Sequence, residues 1–483
     1  MGFYGVEAIN MTLVFSTLFA RHGIRSAYPP YDESKCNTYT KYSGRDFPTF
    51  ADWGMTEEQY CRQELTPHGK LVAPRVGEYY RSVLDAKDQF AALRNFDYGC
   101  DTLAVFSDNS TRNIQTAHLL VEGFGCRDQT EVNIAGENDY ANTVWPVVSD
   151  HDNRLGCPTA DRSVFEGLFG DTPDLITESF RDRIAMVDRV LQMSSYNATI
   201  CSDVNQDYDA SRDGPCTMFQ TGYQYTGLYF QGMATAPYNR AGFFAELFML
   251  QYVSNLQDWA FGDLNLADLD AIFALHVQNN NYNIQLNSAV YGSQSVGYLL
   301  ASMEQSILGD PVPGIVQGPD KNVVMFSTHD FNLGYVYGLL GLEYIFEEAK
   351  AQHGVLFTTT GQIRFDLFQS DAEEGKYYVR TTFNVASPTQ MRNNEPLTVD
   401  SPPQIVILGL QACGMQVLCP YDEFKKIALN AISIDCIQEP LRGTLQGMRD
   451  ARPTSRGDPS SPSTKMVSVF VFLASVIPLF FPF

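Results

Sequence analysis

The sequence contains no Cys-x-x-Cys pair, no repeat at a fixed period and comparatively little positive charge. Its ten cysteines, lacking that spacing, give no support to zinc-ribbon or thioredoxin-like chemistry. Without a repeat, a solenoid is excluded. Lys and Arg number 33 against 56 Asp and Glu, a formal charge of -23, so the long-range field repels polyanions and nucleic acid is not an expected partner. Any phosphate site must therefore be a local cluster of cations. Near the amino end the one apolar run, residues 11–20, leads directly into Arg21 and His22. Cleavage there would destroy the first strand, so no signal peptide is visible and the true start is expected upstream. The 483 residues are 44% hydrophobic and 18% charged, a globular balance that suits one large domain with an insertion, or two domains.

An even number of cysteines spread over a long chain points to disulfides made in a secretory or extracellular setting. Sequons at Asn10, Asn109 and Asn197 agree with that compartment, and a glycoprotein is expected. Residues 466–483 carry no charge, and they follow a polar stretch rich in Ser, Pro and Gly over 451–465. This pattern reads as the signal removed when a GPI anchor is attached, with Ser455, Gly457 and Ser460 in the attachment region. The alternative is a retained span near the minimum crossing length. Membrane contact is expected only through this tail, at the cell surface or in the secretory pathway.

Strand-like runs at 11–20, 102–108 and 322–328 are each followed by helical periodicity, near 69–87, 112–124 and 330–340 respectively. Such alternation predicts an α/β fold: a doubly wound, mostly parallel central sheet with helices on both faces. Three further strands near 361–410 have short links that suit antiparallel neighbours at the sheet edge. Between about 130 and 295 the strand signal fades. We therefore expect a discontinuous core over 1–130 and 295–440, a mainly helical cap over 131–294, a polar linker over 441–465 and the tail over 466–483.

The chemistry-bearing residues stand at the ends of the first three strands. Arg21-His22-Gly23-Ile24-Arg25 follows the first, Arg112 starts the helix after the second, and His329-Asp330 follows the third. In a doubly wound sheet these ends meet at the carboxyl edge, where ligands bind. Phosphoryl transfer needs fixed cations around three oxygens, a nucleophile in line and an acid for the leaving oxygen. Arg21, Arg25 and Arg112 provide the forks. His22 provides a nucleophilic nitrogen and Asp330 the proton, with His329 as a further phosphate donor. An acid that must be protonated in the resting complex implies better activity at low pH.

The segment LFARHGIRSAYPP, with STHDFNLG far downstream, resembles the histidine acid phosphatases, whose motifs are RHGxRxP and HD. The branch of bacterial glucose-1-phosphatases and 4-phytases is similar over a wider stretch, through LTPHG, STRNIQTAHLLVEGFGC, AELFMLQY and QMRNNEPLTVDSPPQIVILGLQACGMQVLCPYDEF, from about residue 10 to 436. This resemblance implies a phosphorylated His22, phosphate binding by Arg21, Arg25, Arg112 and His329, and proton donation by Asp330, without a metal or cofactor. It also implies disulfides Cys100–Cys126, Cys157–Cys436, Cys201–Cys216 and Cys413–Cys419, which leaves Cys36 with Cys61. Ala27 stands at the usual proline position, with no loss of activity expected.

Other residues are weighed separately. Glu246 resembles a family position near the substrate mouth, with a plain helix-surface glutamate as the alternative. His68, His118, His151, His276 and His353 match no catalytic motif and are expected to be structural. Asp203, Asn205, Asp207 and Asp209 resemble a calcium loop, but Tyr208 and Gly214 occupy positions that need glycine and glutamate, so no metal is expected. Tyr28 opens the aromatic and acidic loop 28–33, which lacks lysine. That composition favours small sugar or aryl monophosphates over phytate as the phosphomonoester partner. A phytase, and a catalytically silent surface protein on the same fold, are the other readings.

Overall fold

The computed structural model describes residues 11–26, 39–87, 90–135, 172–225, 234–345 and 358–451. Strand β1 (Met11–Arg21) is buried along nearly all of its second half, as a strand covered on both faces must be. Helix α1 (Pro67–Asp85) follows, started by Thr66, whose hydroxyl accepts the Gly69 N–H, and by proline in its first turn. Next come β2 (Leu103–Ser107), α2 (Thr111–Gly123) and β3 (Val132–Ile134). After the insertion, which carries α3 (Pro237–Val253) and most of α4 (Leu266–Leu308), the chain forms β4 (Val323–Thr328) and α5 (Asp330–Leu340). It finishes with β5 (Leu342–Tyr344), β6 (Gln362–Ser370), β7 (Tyr377–Val385), β8 (Gln404–Leu410), β9 (Cys419–Pro420), α6 (Tyr421–Ala431) and α7 (Leu441–Asp450).

These nine strands form one sheet in the order β3-β2-β4-β1-β6-β7-β8-β5, with β9 paired to β7, and Gln224–Tyr225 and Ala234–Thr235 pair separately in the insertion. β3, β2, β4 and β1 run parallel, whereas β6 to β8 extend the sheet by antiparallel pairing, as their short links predict. The register decides where the site lies. Ala20 pairs with Ser327, and Ser327 with Ser107, so the carboxyl ends of β1, β4 and β2 stand in one row.

Alternation along these strands builds two cores, one on each face. Leu18, Leu103, Val105 and Met325 meet Val72 and Val76 of α1 and Leu120 of α2. Phe19, Phe106 and Phe326 face the other way, against Leu299 and Met303 of α4 and Leu333 of α5. Phe326 stacks on Phe19 and Phe106 at 5.0 and 5.2 Å, and burying each ring contributes about 1.5–3 kcal/mol. Helices α1 and α2 touch backbone to backbone, since a Cβ on Gly123 would lie 1.9 Å from the Pro74 carbonyl oxygen. Gly69 similarly lets the start of α1 pack on Ile24, just past His22; a Cβ there would lie 2.1 Å from the Ile24 carbonyl oxygen.

Three boundaries differ from expectation. β3 belongs to the core sheet although it lies past residue 131, because Val132 buries against it. α4 runs through 294–295 without a break, so cap and core share one helix. The linker does not begin at 441: α7 is a helix whose Leu441 and Leu445 are buried in the core. Disulfides Cys100–Cys126, Cys201–Cys216 and Cys413–Cys419 are formed. Cys61 and Cys436 are also disulfide-bonded, but their expected partners Cys36 and Cys157 lie outside the described residues, as do the tail and most of the expected linker. Among the described residues, no helix is long and apolar enough to cross a membrane.

Candidate active site

His22 leaves β1 held by its own backbone. Its N–H donates to the Thr328 carbonyl at 2.8 Å, and its carbonyl accepts the Thr360 N–H at 3.2 Å. The imidazole is buried, with Nδ1 2.8 Å from the Gly23 carbonyl oxygen. A carbonyl can only accept, so Nδ1 carries the proton and Nε2 keeps its lone pair. Burial, then the guanidinium groups of Arg112 and Arg21, hold this imidazole well below its usual pKa, so it stays neutral in acid.

A buried carboxylate organises the arginines of the RHGxR segment. Arg21 Nη2 donates to Glu246 Oε1 at 2.5 Å and lies 3.0 Å from Asp330 Oδ2, while Arg25 Nη2 lies 3.2 Å from both Glu246 oxygens. Burial works to raise the Glu246 pKa, but Arg25, His276 and Arg21 outweigh it and bring it to about 2. Glu246 is therefore not the plain helix-surface glutamate of the alternative reading. Nearly every residue of α3 is buried, and a glutamate there is tolerated only as an ion-pair partner.

Arg112 reaches the site from the start of α2, half-buried, with Nη2 3.2 Å from His329 Nδ1. The rings of His22 and His329 stand edge to face, 5.4 Å apart. Asp330 opens α5 beside Arg21. Burial favours its neutral form, yet Arg21 and His276 outweigh burial and hold its carboxyl well below the usual range. In the free protein these neighbours favour the ionised form of Asp330.

The structure brings together His22, Arg21, Arg25, Arg112, His329, Asp330 and Glu246, while Tyr28 and Ala27 lie outside the described residues. Four participants escaped the sequence reading. Asp108 and Asn113 bracket His329, with Asp108 Oδ2 2.8 Å from its Nε2 and 2.7 Å from Asn113 Nδ2. Thr116 accepts the Gly23 N–H at 2.9 Å and donates to the Arg112 carbonyl at 2.7 Å, tying α2 to the His22 loop. His276, expected to be structural, reaches the site from α4 with Nε2 3.6 Å from Asp330 Oδ2. Asp108 and Thr116 flank Arg112 within SDNSTRNIQT, which was a usable local signal; His276 had none. His68, by contrast, sits 2.8 Å from the Met391 carbonyl, a structural contact.

Glu246, His276 and Asp330 present ligand atoms within 4.8 Å of one another, as a metal would require. Arg21 already contacts both carboxylates, so a guanidinium takes the position a cation would need. The donor set does not fit a metal.

A family profile described as "Histidine phosphatase superfamily (branch 2)" matches residues 14–384. Among curated proteins none matches the chain. The apo form of Hafnia alvei phytase superposes with a TM-score of 0.68 at 16% identity, covering 90% of this chain and 100% of that one. The phytase of Citrobacter braakii gives 0.68 at 17%, covering 89% and 100%, and that of Klebsiella sp. ASR1 0.62 at 17%, covering 90% and 98%. At these identities the likeness speaks for the fold.

Proposed function

The chain belongs to branch 2 of the histidine phosphatase superfamily, and on that basis we propose that it is an acid phosphatase cleaving phosphate monoesters through a phosphohistidine on His22. The observation that carries this reading is a neutral imidazole with a free Nε2 among three guanidinium groups. Arginines at fixed positions stabilise charge that builds up on the transferring group. In the first step the Nε2 lone pair forms a P–N bond as the ester P–O bond breaks, and Asp330 passes a proton to the departing oxygen. In the second, water attacks the phosphohistidine, returns a proton to Asp330 and releases phosphate.

Asp330 must be loaded with its proton after substrate binds. A bound phosphoryl group competes for the N–H groups of Arg21 and adds negative charge beside the carboxylate. Both changes raise its proton affinity, and an acid medium supplies the proton. His22 keeps its Nδ1 proton on the Gly23 carbonyl, which makes Nε2 the nitrogen that attacks while Asp330 carries the acid proton.

Small sugar or aryl monophosphates fit the charge balance best. Arg21 contacts the carboxylates of Glu246 and Asp330, Arg25 contacts Glu246, and Asp108 lies against His329, so buried carboxylates already offset much of the positive charge of the site. One phosphoryl group uses what the arginines offer, whereas the further phosphates of an inositol polyphosphate would need extra cations. The test compares kcat/KM for glucose 1-phosphate, phenyl phosphate and phytate near pH 5. Monoesters are expected to lead; phytate turned over as well as glucose 1-phosphate would favour the phytase reading suggested by the fold neighbours.

A further inference from the structure

Asp108 is a buried carboxylate that contacts no substrate position named above. Its Oδ1 accepts the Ser110 N–H at 2.8 Å, and its Oδ2 lies 2.7 Å from Asn113 Nδ2 and 2.8 Å from His329 Nε2. Burial favours the neutral acid, but the charge His329 carries when protonated, the hydrogen bond from its ring and the Ser110 amide outweigh burial and lower the Asp108 pKa. A carboxylate can only accept, which makes His329 Nε2 the donor. In the free protein Arg112 Nη2, which can only donate, lies 3.2 Å from His329 Nδ1, so that nitrogen accepts and the ring carries its one proton on Nε2; burial and then Arg112 lower its pKa in the same sense, against the opposing pull of Asp108. Its Nδ1 lone pair therefore faces Arg112 Nη2.

That arrangement conflicts with phosphate binding. An oxyanion engaging Arg112 would meet the Nδ1 lone pair, and two acceptors repel. Protonation of Nδ1 turns the repulsion into a charge-assisted hydrogen bond. We propose that Asp108 is a positioning residue that makes His329 take up a proton when a tetrahedral oxyanion binds, so that His329 donates to Asp108 through Nε2 and to the anion through Nδ1. This rests on the phosphatase reading for the identity of the anion. Among the described residues, the groups facing His329 include Asp108 just after β2, Arg112 and Asn113 of α2, His22 just after β1, and Asp330 and the stacked Phe331 of the helix that His329 precedes. Among them Asp108 alone offers a negative charge in direct contact with the ring.

The test is calorimetric binding of sulfate, whose own charge is fixed from pH 4.5 to 8, in paired buffers of different ionisation heat. Wild type is expected to take up one proton at His329 in addition to that loaded on Asp330, and the His329 proton alone steepens the fall of affinity toward neutrality by up to about tenfold per pH unit. Asp108→Asn should bind about 10- to 100-fold more weakly at pH 5 and take up close to one proton fewer than wild type, with a correspondingly shallower slope. If the variant takes up as many protons as wild type, the uptake belongs to His22 or Asp330 and the proposal is overturned. His329→Asn, which puts a neutral amide donor near the Nδ1 position, covers a failure of Asp108→Asn to fold. It should likewise take up close to one proton fewer than wild type, and uptake equal to that of wild type would equally overturn the proposal. Hydrolysis of p-nitrophenyl phosphate by the same preparations reports separately on the phosphatase reading: its absence from a wild type that takes up the proton would refute that reading and still support this one.

Discussion

Replacing Thr116 with valine removes one hydroxyl and keeps the shape of the side chain. In the folded protein that hydroxyl accepts the Gly23 N–H and donates to the Arg112 carbonyl, so it joins the loop bearing the nucleophile to the helix bearing a phosphate-binding arginine. Valine opens no sizeable cavity, but it leaves the Gly23 N–H buried without its partner, which costs about 1–3 kcal/mol. The Arg112 carbonyl still has its helical hydrogen bond. Gly23 also carries the carbonyl that fixes the His22 tautomer, so a shift of this loop moves the attacking nitrogen relative to Arg112. Small misplacements of reacting groups cost up to about 100-fold in rate. Urea unfolding and kcat/KM with p-nitrophenyl phosphate measure the two effects, and Thr116→Ser should restore both. A valine variant within about 0.5 kcal/mol of wild type and with unchanged kcat/KM would refute the tether.

Two other perturbations follow from buried charge. Asp366 in β6 is fully buried between Arg364 and Arg380, 2.7 and 2.8 Å away, and accepts from Ser16 at 2.8 Å. Asp366→Ala strands a buried Arg364 and should destabilise the fold by about 3–5 kcal/mol in denaturant titration, far from the site chemistry. Glu246 has a carboxyl brought from 4.5 to about 2, so its contribution to stability is complete above about 4.5 and is lost as pH falls toward about 2. Wild type should therefore lose stability through that window, and Glu246→Gln should show a shallower slope; equal slopes would place the titration elsewhere.

Much of the fold was legible because β1, β2 and β4 are continuous apolar runs, each followed by a helix, and because three strand ends carry His22, Arg112 and Asp330. Parallel pairing in register does the rest, since it leaves those ends no choice but to meet. What escaped depends on approach in three dimensions. His276 sits on α4 among residues of ordinary helical periodicity, and only the passage of that helix over the site brings it near Asp330. Glu246 resembles a surface glutamate until the neighbours of α3 bury it against two arginines. β3 is too short for periodicity to detect, and α7 hid in a polar sequence whose leucines at 441 and 445 fall one turn apart.

The central claim is that His22 Nε2 takes the phosphoryl group. Rapid denaturing quench at alkaline pH, where phosphohistidine survives, during turnover of a radiolabelled aryl phosphate tests it most directly. One labelled peptide is expected, carrying the phosphoryl group on His22 and absent from His22→Ala. Label on any other residue, or full turnover by His22→Ala, would contradict it.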